Sequence, residues 1–191
     1  MYKLCKTEQS AARQRELEEG LLHAMTSRDY DEITVSDLCD QIGIPRKAFY
    51  RYFSGKDGAL HALIDHTLLD YESYVIPTRI GEKRRYYTEL ERFFAFWLQQ
   101  KPLLDALSRS KLSGELVVRA INHAMADEGS AVRYLLHEDR ATRKYAITFG
   151  ICGLMSLVLD WHMGGYRTSP KQMSDIAVHL MTEPLFMKTE P

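Results

Sequence analysis

Apolar positions recur at helical spacing along almost the whole 191-residue chain. Leu17, Leu21, Ala24 and Met25 keep an i, i+4, i+7, i+8 stripe, which predicts a helix from about residue 11 to residue 28. Val35, Leu38, Cys39 and Ile42 predict a second helix over 35–42, opened by Thr34 with Asp37 three residues on, close to a capping box. Gly43 breaks that helix, and Pro45 suits the first position of a third, expected to reach Phe53. Ser54 and Asp57 give a further cap signature before a fourth helix, whose stripe is Leu60, Leu63, Ile64, Leu68 and Tyr71. Pro77 ends it.

Residues 76–83, IPTRIGEK, read as a linker, and the pattern changes beyond it. The run FFAFWL at 93–98 is apolar on every side, as in a helix surrounded by others. Pro102 restarts a short helix, and Leu112, Leu116, Ala120, Ile121 and Ala124 mark another that stops before Gly129. A long helix is expected from about residue 141 to residue 163, closed by Gly164 and Gly165. Ser169 and Pro170 cap a last one with Met173, Ile176, Ala177, Leu180 and Met181 facing inward. With no strand alternation and no repeat, the expected class is all-α. The expected division is a small helical domain over 1–58 and a larger one over 59–191.

The uncharged run YAITFGICGLMSLVL, 145–159, is shorter than the ~20 apolar residues of a membrane span, so a buried core helix is expected and no membrane partner. The opening MYKLCKTEQS lacks the apolar core of a secretory signal. Three scattered cysteines suit a reducing cytoplasm. The seven histidines show no metal-ligand spacing, and neither a nucleophile–base pair nor a phosphate-cradling glycine loop is present. No catalytic residue, metal or cofactor is expected.

Charge changes the picture locally. The formal net charge is −1, yet the run from Arg46 to Lys56 holds Arg46, Lys47, Arg51 and Lys56 among Tyr50 and Tyr52 with no acid. On a helical wheel Phe49 and Phe53 fall together and point inward, while Lys47, Tyr50 and Arg51 share the opposite side with Arg46 and Tyr52 at its flanks. A face without acids cannot be laced by its own salt bridges, and a phenol ring has little reason to stand in water. Lys56 sits in a first helical turn, where the dipole disfavours a cation and a bound phosphate would reverse the balance. Helix 35–42, a turn at 43–45 and the following helix make a helix-turn-helix, whose second helix enters a major groove. Arg46 and Lys47 are then candidates for base edges, Tyr50 for a thymine methyl or a phosphate, and Arg51 for either role. Thr34, Ser36, Tyr52 and Lys56 are candidates for backbone phosphates.

Residues 33–60, ITVSDLCDQIGIPRKAFYRYFSGKDGAL, resemble the DNA-binding segment of TetR-type transcriptional regulators. The shared features are a Thr-led second helix, a Gly-containing turn, the F-Y-x-Y-F end of the third helix and a Lys opening the fourth. The resemblance covers the first third of the chain closely and the rest in layout only. It implies a homodimer, most often a repressor, on a palindromic double-stranded operator, with a small-molecule inducer site in the larger domain. By position it puts Thr34, Arg46, Lys47, Tyr50, Tyr52 and Lys56 at the DNA. Pro45 and Ala48 depart from it, standing where the family often has small hydroxyl residues.

For the dimer, Ala146, Gly150 and Gly153 lie along one side of the uncharged helix, where small residues let a partner helix approach. For a ligand, Tyr71, Tyr74, Phe93, Phe94 and Trp97 gather where a pocket between the fourth and fifth helices would form. Plain core is an equal reading of those rings. An activator of the same fold, a small helical enzyme and a protein-interaction module are the competing readings of the whole.

Overall fold

The computed structural model describes residues 2, 3, 5, 7–75, 82–126 and 142–183, so residues 76–81 of the expected linker and the helix stop at Gly129 lie outside the described residues, while Glu82 and Lys83 of that linker open a helix. Among the described residues the chain is all-helical. The elements are α1 (Glu8–Met25), α2 (Val35–Ile42), α3 (Arg46–Phe49), α4 (Lys56–Tyr74), α5 (Glu82–Gln99), α6 (Lys101–Arg109), α7 (Ser113–Ala126), α8 (Arg143–Met163) and α9 (Pro170–Thr182), with a 3-10 turn at Tyr30–Glu32. Two compact units form: Met1–Leu69 with Pro102–Arg119, and Asp70–Lys101 with Ala120–Pro191.

In the first unit the apolar stripes meet as the spacing predicts. Leu17, Leu21 and Met25 of α1, Leu38 of α2 and Phe49 of α3 are fully buried. Each such side chain contributes about 1.5–3 kcal/mol relative to exposure. Gly20 lies where α1 meets α2. A Cβ there would overlap the Ile42 side chain, so the missing side chain lets the two helices close up. The capping box of α2 is complete: Thr34 Oγ1 accepts from the Asp37 N–H at 3.1 Å, and the Asp37 carboxylate accepts from the Thr34 N–H at 2.9 Å. Those bonds hold the Asp37 carboxyl below the usual carboxylate range.

The third helix is shorter than the wheel implied. Only Arg46–Phe49 is α-helical, and the chain then tightens: Arg51 N–H donates to Ala48 C=O at 3.3 Å and Tyr52 N–H to Phe49 C=O at 2.9 Å. Phe53 must still reach the core, and its ring packs 5.2 Å from that of Phe49. This turn delivers it.

In the second unit α9 packs along α5. Phe94 of α5 meets Trp161 of α8 edge-on at 5.8 Å. Two expectations are corrected here. Helix α8 is no buried core helix: Ile147, Met155, Val158 and Trp161 are buried, while Tyr145, Phe149 and Met163 are 72%, 80% and 71% exposed. The uncharged run carries apolar residues all round, and among the described residues one side of it is buried while the other is open. By length and composition α8 is also long and apolar enough to cross a membrane. On α9 the buried stripe runs through Met173, Ser174, Ala177 and Val178, whereas Ile176 and Met181 are exposed. Small Ser174 lies on the inner side in place of Ile176.

Candidate nucleic-acid interface

Local chemistry builds the reading head. Gly43 caps α2 in the left-handed conformation (φ 73°), which a side chain would strain. Ile44 N–H then returns to Cys39 C=O at 2.9 Å. Pro45, with φ fixed at −65°, launches α3 without an N–H to satisfy. The result sets Phe49 inward and leaves Arg46, Lys47 and Arg51 exposed, with Tyr50 45% exposed. Tyr50 leans edge-on against Phe49 at 5.7 Å, which holds one side of its ring. Four of the eight candidates are thus exposed along one short run of the chain that carries no acid.

The other four are placed differently. Thr34 is exposed at the start of α2, and its hydroxyl, which accepts the cap bond, keeps its own hydrogen for a second partner. Ser36 is half-buried, as is Tyr52, whose ring packs against Phe53 at 6.3 Å. Lys56 is engaged inside the molecule: its ammonium lies 4.1 Å from the centre of the Tyr30 ring and donates to the Tyr30 carbonyl. Tyr30 is itself tied down, its hydroxyl donating to Asp57 at 2.6 Å and its N–H to Ser110 Oγ at 3.1 Å. Burial and Asp57 push that hydroxyl upward, so it stays a proton donor.

Residues that the wheel did not bring in also meet the reading head. Tyr2 and Lys3 lie alongside Phe53 and Tyr52. A groove of 710 Å³ opens between the start of α1 and the turn, lined by Thr7, Ser10, Arg13, Pro45, Arg51 and Tyr52 among others. No local signal marks either. The first joins segments some fifty positions apart, the second segments about thirty to forty-five apart.

Elsewhere, the aromatic candidates pack on one another. Tyr71 meets Phe93 at 5.7 Å and Phe96 at 5.3 Å, and Tyr74 meets Phe96 at 5.6 Å. Phe93 also touches Phe94 at 5.2 Å and Trp97 at 6.3 Å. Trp97 is 1% exposed, and its indole N–H has no acceptor among the described residues. On α8, Ala146 and Gly150 are half-buried and Gly153 is exposed; a Cβ on either glycine would meet nothing. Among the described residues no group of three His, Cys, Asp or Glu could hold a metal ion.

A capped helix, a left-handed glycine turn and a second helix with a bare basic face define a helix-turn-helix protein of the DNA-binding class. Residues 20–63 match the family model of bacterial regulatory proteins, tetR family. No curated protein sequence matches the chain. The fold is shared with a tetR-family transcriptional regulator from Streptomyces coelicolor, at TM-score 0.58 and 21% identity over 88% of this chain and 78% of that one. It is shared too with the transcriptional regulator FadR from Bacillus subtilis in complex with stearoyl-CoA, at TM-score 0.61 and 15% identity over 88% and 97% of the two chains. The TetR family repressor AlkX from a Dietzia species aligns at TM-score 0.54 and 18% identity over 87% and 92%.

Proposed function

We propose that the chain acts in the cytoplasm as a homodimeric repressor, gripping a palindromic operator through α2 and α3 and released by a small molecule. The observation that carries this is the exposed face of Arg46, Lys47, Tyr50 and Arg51, which has no acid of its own to pair with. Arg46 and Lys47 read base edges and Tyr50 packs on a base or phosphate. Thr34, Ser36, Arg51 and Tyr52 hold the backbone. Lys56, bound to Tyr30, fixes the start of α4 and adds positive potential beside the face. One head spans few base pairs, so two copies are required, and the exposed apolar side of α8 around Gly150 and Gly153 supports a second copy as the partner. The clustered rings of Tyr71, Tyr74, Phe93, Phe94 and Trp97, with the buried indole donor, support a largely apolar inducer bearing one acceptor atom.

The test is titration of the full chain with mixed-sequence duplex across a range of salt concentrations. A backbone-gripping protein shows log affinity falling linearly with log salt, at a slope of about −0.9 per neutralised phosphate. No binding at 50 mM salt would contradict the reading.

A further inference from the structure

Residues 2 and 3 form a strap across the exit of α3. Tyr2 and Phe53 make an antiparallel bridge, and Lys3 N–H donates to the Tyr52 carbonyl at 2.9 Å. That carbonyl lies just past a helix of four residues, where backbone acceptors otherwise depend on water. The strap is rooted at its other side. Tyr2 hydroxyl donates to Asp65 of α4 at 2.8 Å, and the same carboxylate takes the guanidinium of Arg119 of α7, with Nε at 2.6 Å. Burial and the Asp65 carboxylate push the Tyr2 hydroxyl up to about 12, so it remains a donor under ordinary conditions. The Tyr2 ring stands edge-on to His66 at 5.9 Å.

The side chain of Lys3 is exposed. Paired residues of antiparallel backbones lie about 4.5–5.5 Å apart. The backbone of Lys3 is therefore held beside that of Tyr52, the residue that follows the exposed Arg51. A cation fixed there by main-chain bonds loses little freedom on meeting a phosphate, unlike one on a loose arm.

We propose that residues 2 and 3 belong to the DNA-reading apparatus: Tyr2 positions the exit of α3, and Lys3 binds a backbone phosphate beside the one held by Arg51. This rests on the reading that α3 faces DNA. Tyr2 is a positioning residue, acting through the Phe53 bridge and the Asp65 bond. Lys3 is the contact.

The experiment is salt-dependent titration of the full chain and its variants with one duplex, with thermal unfolding recorded on each free protein. Lys3→Ala keeps the main-chain bond and is expected to reduce the salt slope by about one unit, with base preference unchanged. Lys3→Arg is expected to retain the wild-type slope. Tyr2→Phe removes only the hydroxyl, and is expected to weaken binding about tenfold at an unchanged slope. An unaltered slope in Lys3→Ala, or unaltered affinity in Tyr2→Phe, overturns the proposal while leaving operator binding standing. A wild-type chain that binds no duplex overturns both.

Discussion

Phe149→Glu is expected to lower affinity for a duplex with two half-sites by about 10²–10⁴-fold and to leave affinity for a single half-site unchanged. Phe149 is 80% exposed on α8, so its replacement costs little burial and the folded subunit should survive. What it removes is the most exposed ring on a helix that also shows Tyr145 and Met163, with open space over Gly150 and Gly153. In a two-fold interface the same patch meets itself, so each dimer would bury two new carboxylates near one another. Desolvation and like charge both oppose assembly. The loss then follows from linkage: without a dimer the second reading head no longer binds as an intramolecular event. Sedimentation velocity with parallel titrations of one-site and two-site duplexes checks it. A variant that stays dimeric and binds both as before would move the interface off α8.

His66→Ala is expected to destabilise the first unit by about 3 kcal/mol in denaturant unfolding, the low end for breaking a buried pair. Glu18 of α1 is 1% exposed, and its two carboxylate oxygens lie 2.9 and 2.8 Å from His66 Nδ1 of α4. Removing the imidazole strands those acceptors among apolar side chains and leaves a void. The His66 side chain is 18% exposed, which lets some water reach the gap and places the loss toward the lower figure. Replacing both partners, as His66→Leu with Glu18→Leu, should recover most of it, because no polar group is then left unmatched. If His66→Ala unfolds with the wild-type midpoint, the pair is not a structural tie between α1 and α4.

Local signals carried the reading head. Thr34 and Asp37, three apart, cap α2, and the glycine between two helical stripes proves to be the left-handed stop. The four-residue repeat of Phe49 and Phe53 put both rings inside, although the wheel overran the true α-helix by four residues. A wheel assumes one geometry throughout, and here the tighter turn still brings Phe53 round. Contacts between distant positions were not legible. Nothing near Lys56 in sequence announces Tyr30, nothing near Glu18 announces His66, and nothing near Tyr52 announces Lys3. The two faces of α8 were hidden for a different reason. An exposed apolar residue reads in the sequence as a buried one does.

The central claim is that the side chains of α3 read base edges from both halves of a dimer. Selection of bound duplexes from a random pool, by the wild-type chain and by Arg46→Ala, tests it most directly. The expected product is a palindrome with half-site centres about 34–36 Å apart, and for Arg46→Ala the same palindrome with preference relaxed at one position in each half. Enrichment of no common sequence, or of one identical at every position for both proteins, would contradict it.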